Sequence, residues 1–167
     1  MRIVLAAAAA ATMTSAGLAG TGPTVWSGYD YSFSKSAFGS EQDQITDNVA
    51  ITRGNVAGIF NAVSETSYSS NFSPAGTVWA FGHAADWASL TFDDWQTTVG
   101  SNPPSSVGQD MVMWLQTDGI VLDVRFTEWG PGPSNGGSFS YVRATPTPGG
   151  AAVLGLAGLG VMRRRRR

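Results

Sequence analysis

Four carboxylates are the residues of this chain most suited to acid–base work: Glu65, Asp93, Asp94 and Glu128. Cleavage of a glycosidic bond needs two carboxyl groups facing each other at roughly 5 to 9.5 Å. Adjacent Asp93 and Asp94 diverge by about 100° on a helix of 3.6 residues per turn, so they make poor partners. Glu65 falls in a polar, Ser-rich stretch and Glu128 near the end of a predicted strand, which leaves their convergence open. His83, the single histidine, has Asp86 as its nearest acid in sequence, yet no Gly-x-Ser-x-Gly elbow accompanies it. It reads as a loop residue. No motif supplies an acid, a base and a positioning group together. The expectation is therefore a non-catalytic protein, with a secreted glycoside hydrolase as the enzymatic alternative.

Metal chemistry has little to draw on. With no cysteine and one histidine, a zinc site of the usual kind cannot be built within one chain. Asp43, Asp47 and Asp118 are oxygen donors in turn-rich segments and could serve calcium, but no spaced calcium loop is present. No cofactor is expected. The six tryptophans, at 26, 79, 87, 95, 114 and 129, pose a choice between packing and sugar stacking. Packing is favoured, because large aromatics mostly serve burial. The stacking reading falls on Trp114 with Arg125 and Asp123, the candidate glycan-binding set, for a reason that lies in the strands carrying them.

Met111, Met113 and Leu115 alternate with Val112 and Trp114. After Thr117-Asp118-Gly119, Ile120, Leu122, Val124 and Phe126 alternate with Val121, Asp123 and Arg125. A period of two marks strands, and Asp-Gly accepts the positive φ of a two-residue hairpin loop. The predicted register pairs Thr117 with Ile120, Leu115 with Leu122, Met113 with Val124 and Met111 with Phe126, so six apolar side chains share one face. The other face, expected to be partly wet, pairs Trp114 with Asp123 and Val112 with Arg125, leaving Arg125 the diagonal neighbour of Trp114.

Further strands are predicted at Tyr29–Ser34, Asp47–Arg53, Ile59–Val63, Thr77–Phe81 and Ser138–Arg143. Their alternation runs through Tyr29/Tyr31/Phe33, Val49/Ile51, Trp79/Phe81 and Phe139/Tyr141/Arg143. One short helix is predicted near residues 92–99. Thr91 caps it with Asp94 completing the capping box, Phe92, Trp95 and Val99 share a face, and Gly100 with Pro103-Pro104 ends it. Short strands separated by turn signals make a mainly β fold, an antiparallel β-sandwich or a barrel-like sheet with one short helix.

The two ends read as processing segments. Met1-Arg2, an apolar run from Ile3 to Ala11 and the small residues Gly17 and Ala19 form an export signal over 1–19. The run is too short and Ala-rich for a retained span, which needs about 20 apolar residues. The β-rich domain covers 20–145. Residues 146–167 then join Pro146-Thr147-Pro148-Gly149, an apolar run ending at Met162, and Arg163, Arg164, Arg165, Arg166 and Arg167. An apolar segment followed by a cationic cluster stops in a membrane with its positive end cytoplasmic. As a helix, Gly149 to Met162 spans about 21 Å, short of a hydrocarbon core of about 30 Å. The tail has contact with the membrane but makes a marginal permanent anchor.

Charge separates the domain from its ends. Six of ten Lys and Arg lie in the terminal segments, leaving Lys35, Arg53, Arg125 and Arg143 against all twelve carboxylates, a net charge of -8. So acidic a domain is repelled by phosphate backbones, which argues against nucleic-acid binding. Without cysteine, its stability outside a cell must come from its core.

The order of parts in residues 146–167 resembles the PEP-CTERM sorting signal of exported bacterial proteins, with Thr147 where that family usually has Glu. The resemblance implies handling by the export machinery and by an exosortase-type membrane enzyme. It also implies transient residence of the tail in the inner membrane, and delivery to the surface or extracellular matrix of a Gram-negative-type bacterium. The middle of the chain is similar to an exported bacterial domain of unassigned function. The residues that carry this are Thr52-Arg53-Gly54, Ser73-Pro74-Ala75-Gly76-Thr77 with Trp79, Asn102-Pro103-Pro104 with Val107-Gly108-Gln109, and Phe139-Ser140-Tyr141 with Arg143. That likeness implies a shared fold and no known active site. A structural or interaction module, or one that binds extracellular polysaccharide, fits these expectations.

Overall fold

The structure, a computed structural model, describes residues 22–146. The export signal (1–19) and all of the sorting tail beyond Pro146, including Thr147, Pro148, Gly149 and Arg163 to Arg167, lie outside the described residues. Among the described residues no helix is long and apolar enough to cross a membrane.

Among the described residues nine strands form two sheets: β1 (Thr24–Trp26), β2 (Tyr31–Lys35), β3 (Asp43–Gln44), β4 (Ala50–Arg53), β5 (Ile59–Asn61), β6 (Thr77–Phe81), β7 (Met111–Leu115), β8 (Ile120–Trp129) and β9 (Phe139–Arg143). The larger sheet runs β2-β9-β8-β7-β6, with β1 parallel to the first residues of β8; the smaller runs β3-β4-β5. The fold is mainly β and layered like a sandwich, with no closed barrel. Val49, Ile51 and Ile59 of the small layer pack on Met111, Met113, Leu115, Leu122, Val124, Phe126, Phe139 and Tyr141 of the large one. The six hairpin residues expected to share a face do share it.

Their register differs from the expected one by two residues. Leu115 pairs with Ile120, Met113 with Leu122 and Met111 with Val124, because the loop holds four residues, Gln116 to Gly119. A shift of two leaves every side chain on its own face. The wider loop frees its polar groups for other elements. Asp118 accepts from Thr46 Oγ1 (2.9 Å) and Asn48 Nδ2 (2.8 Å), and the Gly119 carbonyl accepts the Thr24 N–H (2.7 Å). On the second face Trp114 therefore opposes Val121, and Val112 opposes Asp123, in place of the Trp114–Asp123 and Val112–Arg125 pairs. That face is covered over most of its area, and Arg125 at its end stays partly exposed. Val112, Val121 and Ala84 are fully buried there, beneath the 3-10 turn Ala84–Ser89 and the side chains of Trp87, Leu90 and Phe92.

The helix α1 is shorter and starts later than expected, at Trp95–Thr98. Asp94 is its N-cap and accepts the Thr97 N–H at 3.0 Å. Phe92 lies outside it, because the Asp93 backbone pairs with Trp79 at the edge of β6 and holds residues 92 and 93 extended. Strands β1 and β3 were not expected. β2 begins at Tyr31 and β4 at Ala50, since Thr46–Val49 is spent on a turn.

A bulge sets the far end of β8. Phe126 pairs with Tyr141, Glu128 with Ser140 and Trp129 with Phe139, the register shifting between Phe126 and Glu128. In an unbroken strand, residues 126 and 129 would face opposite ways; one extra residue turns both inward. Between the layers Arg143 donates from Nε (2.7 Å) and Nη2 (2.8 Å) to the two oxygens of Asp43, and the Tyr141 hydroxyl adds a third donor at 2.6 Å.

Removing one member of such a buried pair strands the other charge, at a cost of about 3–5 kcal/mol. Asp43→Ala should therefore lower unfolding stability by about that amount in urea titration, and Asp43→Ala with Arg143→Met should recover part of it. Cross-strand proton contacts by NMR should link Met113 with Leu122 and not with Val124.

Candidate functional site

The pocket at the end of the sandwich begins with an alternation. Val49, Ile51 and Arg53 take successive inward positions, so β4 delivers a guanidinium where a core side chain is expected. Arg53 is only 5% exposed. Its Nε donates to the Ala57 carbonyl (2.8 Å), and its Nη1 donates to the carbonyls of Gly130 (3.0 Å) and Ser138 (3.1 Å). The group lies 3.9 Å over the Trp129 ring, whose inward position the bulge provides. These contacts offset part of the desolvation of the cation. Burial lowers its pKa to about 10, which leaves it charged at neutral pH.

Around this guanidinium opens a pocket of about 350 Å³. Tyr68, Trp95 and Trp129 form its aromatic wall, Pro103, Pro104 and Pro131 its aliphatic one, and Gln96, Ser101 and Asn102 its polar residues. Trp95 comes from α1 and meets Trp129 at 5.4 Å and Tyr68 edge-on at 6.4 Å. Gly58, between β4 and β5, permits that approach. A Cβ there would lie 2.5 Å from Tyr68 and 2.7 Å from Trp95. The Gln96 carbonyl oxygen accepts from the Tyr68 hydroxyl (2.7 Å), the Ser70 hydroxyl (2.6 Å) and the Asn71 N–H (3.2 Å), which ties the Ser-rich loop to the pocket rim. Among the described residues no Asp, Glu or His lines this pocket.

The candidate glycan set, Trp114, Arg125 and Asp123, is not assembled as one surface. Trp114 makes edge-to-face contacts with Trp87 (5.9 Å) and Phe92 (5.4 Å) and belongs to the second apolar cluster. Asp123 is buried and accepts from the N–H groups of Gly28 (2.9 Å) and Ala84 (2.6 Å), pinning two loops to the sheet. With the true register, Arg125 is not the diagonal neighbour of Trp114. It donates instead from Nε to Asp110 at 2.9 Å and lies 4.4 Å over the Tyr29 ring.

His83 joins this group and not Asp86. Its Nε2 is 3.6 Å from Asp110 Oδ2, on a side chain that is 54% exposed. The Tyr29 hydroxyl also donates to Asp110. Hydrogen bonds from Tyr29 first and Arg125 second hold the Asp110 carboxyl below the usual carboxylate range. Burial, and then the neighbouring carboxylate, push the Tyr29 phenol up to about 12.

The hydrolase candidates are occupied or isolated. Glu65 accepts the N–H groups of Asn61 and Ala75, both at 2.8 Å, and the Ser73 hydroxyl. Asp94 caps α1, Asp93 accepts the Asp94 N–H at 2.8 Å, and Glu128 is exposed at the bulge. Among the described residues no three His, Asp or Glu side chains converge as metal ligands, so Asp43, Asp47 and Asp118 do not meet. Sequence reasoning missed the pocket. Its one signal was a charged residue continuing the Val49/Ile51 alternation.

No family model, curated protein or solved structure matches this chain.

The Asp110 contacts carry a pH dependence of known sign. A lowered carboxylate pKa contributes stability above the unfolded value of 3.8, and that contribution is lost as pH falls through the lower folded value. NMR titration of the Asp110 carboxyl should give a midpoint below 3.8, and Tyr29→Phe, which removes the largest cause, should move it upward.

Proposed function

We propose that this chain is an exported bacterial protein whose β-sandwich acts without catalysis. It serves as a structural or interaction module of the cell surface or extracellular matrix, and its C-terminal segment is a PEP-CTERM-like sorting signal read by an exosortase-type membrane enzyme. The observation that favours binding over chemistry is the make-up of the pocket. It offers aromatic rings, amides and a fixed cation, and it lacks the carboxylates and imidazole that general acid–base catalysis uses. The carboxylates elsewhere support the same reading, since Glu65, Asp43, Asp94, Asp118 and Asp123 hold loops and strands together. Sorting rests on the sequence of the two ends, with an apolar leader and a Pro-Thr-Pro, apolar, five-arginine tail.

A second reading, a carbohydrate-binding module of the extracellular matrix, draws on the same pocket. A volume of about 350 Å³ is at the small end of ligand sites. Rings and prolines beside amides and a hydroxyl suit a sugar, which has apolar faces and a polar rim. On this reading a sugar would meet the pocket lining of Tyr68, Trp95 and Trp129 in place of Trp114.

Intact-mass analysis of the extracellular protein should show that Arg163–Arg167 are gone; finding them still attached outside the cell, or an uncut chain kept in the cytosol, overturns the sorting assignment. On a glycan array the carbohydrate reading expects binding that survives Trp114→Phe, on the far face of the large sheet. Loss of binding in that variant, with the fold retained, would return the site to Trp114.

A further inference from the structure

The hydrogen-bond inventory around Arg53 leaves a remainder. A guanidinium has five N–H donors. One on Nε and two on Nη1 match the carbonyls of Ala57, Gly130 and Ser138, while the two on Nη2 have no partner among the described residues. No carboxylate lies within ion-pairing distance of Arg53 among the described residues, in contrast to Arg125 with Asp110 and Arg143 with Asp43. A buried cation without a counter-charge is costly. This one lines an open pocket whose walls carry no acidic side chain, in a domain of twelve carboxylates.

What the pocket lacks defines what it can take. Its one charge is positive, with two donors to spare. Of its two side-chain amide oxygens, that of Gln96 already serves three donors, and that of Asn102 sits on the exposed rim. A ligand must therefore bring acceptor oxygens, preferably charged, on a body small enough for about 350 Å³ and with both apolar and hydroxylated faces. We infer that the pocket recognises a carboxylate-bearing sugar, a uronate, with its carboxylate on Arg53 Nη2 and its ring between the Trp95/Trp129 wall and the Asn102–Pro104 rim. This rests on the carbohydrate reading above and adds its ligand class. Guanidinium–carboxylate hydrogen bonds are charge-assisted, about twice as strong as neutral ones. Other carboxylates of the protein act at longer range, where salt screens them within about 8 Å.

The test titrates the full chain with glucuronate, glucose, glucuronamide and benzoate, read by tryptophan emission and calorimetry. Glucuronate should bind at least about tenfold more tightly than glucose or glucuronamide, as loss of a charged hydrogen bond implies. Arg53→Met should abolish that preference. Because Arg53 also holds the 130–138 connection, a second variant guards against simple unfolding. Asn102→Trp fills the rim from an exposed position whose side chain makes no capping bond, and it should lose binding with an unchanged circular dichroism spectrum. Equal binding of glucose, glucuronamide and glucuronate overturns the uronate assignment and leaves a neutral-sugar module standing. Failure of every sugar, whether or not benzoate binds, overturns both readings. Glucuronate binding that persists in Asn102→Trp places the site elsewhere and overturns the pocket.

Discussion

A cation between two β-layers must be met by oxygen, and the way this protein meets that demand shapes most of the rest. Lys35, Arg53 and Arg143 are all buried, at 2%, 5% and 5% exposure. Arg143 has Asp43, a bidentate partner reaching across from the other sheet. Among the described residues Lys35 and Arg53 find only carbonyls as hydrogen-bond acceptors, those of Ser36 and Gly136 for the first and of Ala57, Gly130 and Ser138 for the second. The connection from Gly130 to Ser138 is thus fastened by main-chain oxygens. Close approach of its backbone follows: a Cβ on Gly137, at φ 69°, would lie 1.7 Å from the Gly54 carbonyl oxygen. Glycine fits there because no side chain can.

Much of this was legible in the sequence wherever a periodicity and a turn agreed. Thr77–Phe81 came out as read, the last strand starts one residue later than expected, at Phe139, and the six hairpin residues faced the core because an error of two in register preserves faces. Legibility failed where a long-range partner overrode a local signal. Asp118-Gly119 has the chemistry of a two-residue loop, but Thr46, Asn48 and Thr24 draw on its polar groups and it opens to four. Thr91 has the chemistry of an N-cap, but the pairing of Asp93 with Trp79 keeps that stretch extended and passes the cap to Asp94. The second face of the hairpin looked half-polar because Asp123 stands in it. In fact that carboxylate anchors two loops that cover most of the face, leaving Arg125 partly exposed.

The pocket was illegible for a related reason. Its walls come from β4 and the loop after it, the Ser-rich segment that carries Tyr68, α1 and the segment after it, the bulged end of β8 and the connection beyond it, and no local pattern links these. The bulge alone decides whether Trp129 faces the pocket or solvent, and nothing in Phe126-Thr127-Glu128-Trp129 announces it. Arg53 was visible as a residue and invisible as a site, since a charged end to an apolar alternation ordinarily marks the strand leaving the core.

Net charge gives a misleading picture of what such a domain can hold. A balance of four cations against twelve carboxylates argues against anionic polymers as long-range partners. The distribution is more lopsided than the sum. Three of the four cations are buried, and only Asp43 and Asp123 of the twelve acids join them, so the surface is more acidic than the total and the interior carries the positive excess. An anion reaching this protein meets repulsion over most of its exterior and attraction at the Asp110-paired Arg125 and where the interior opens. The Arg53 pocket is such an opening, lined by one cation and no acid among the described residues.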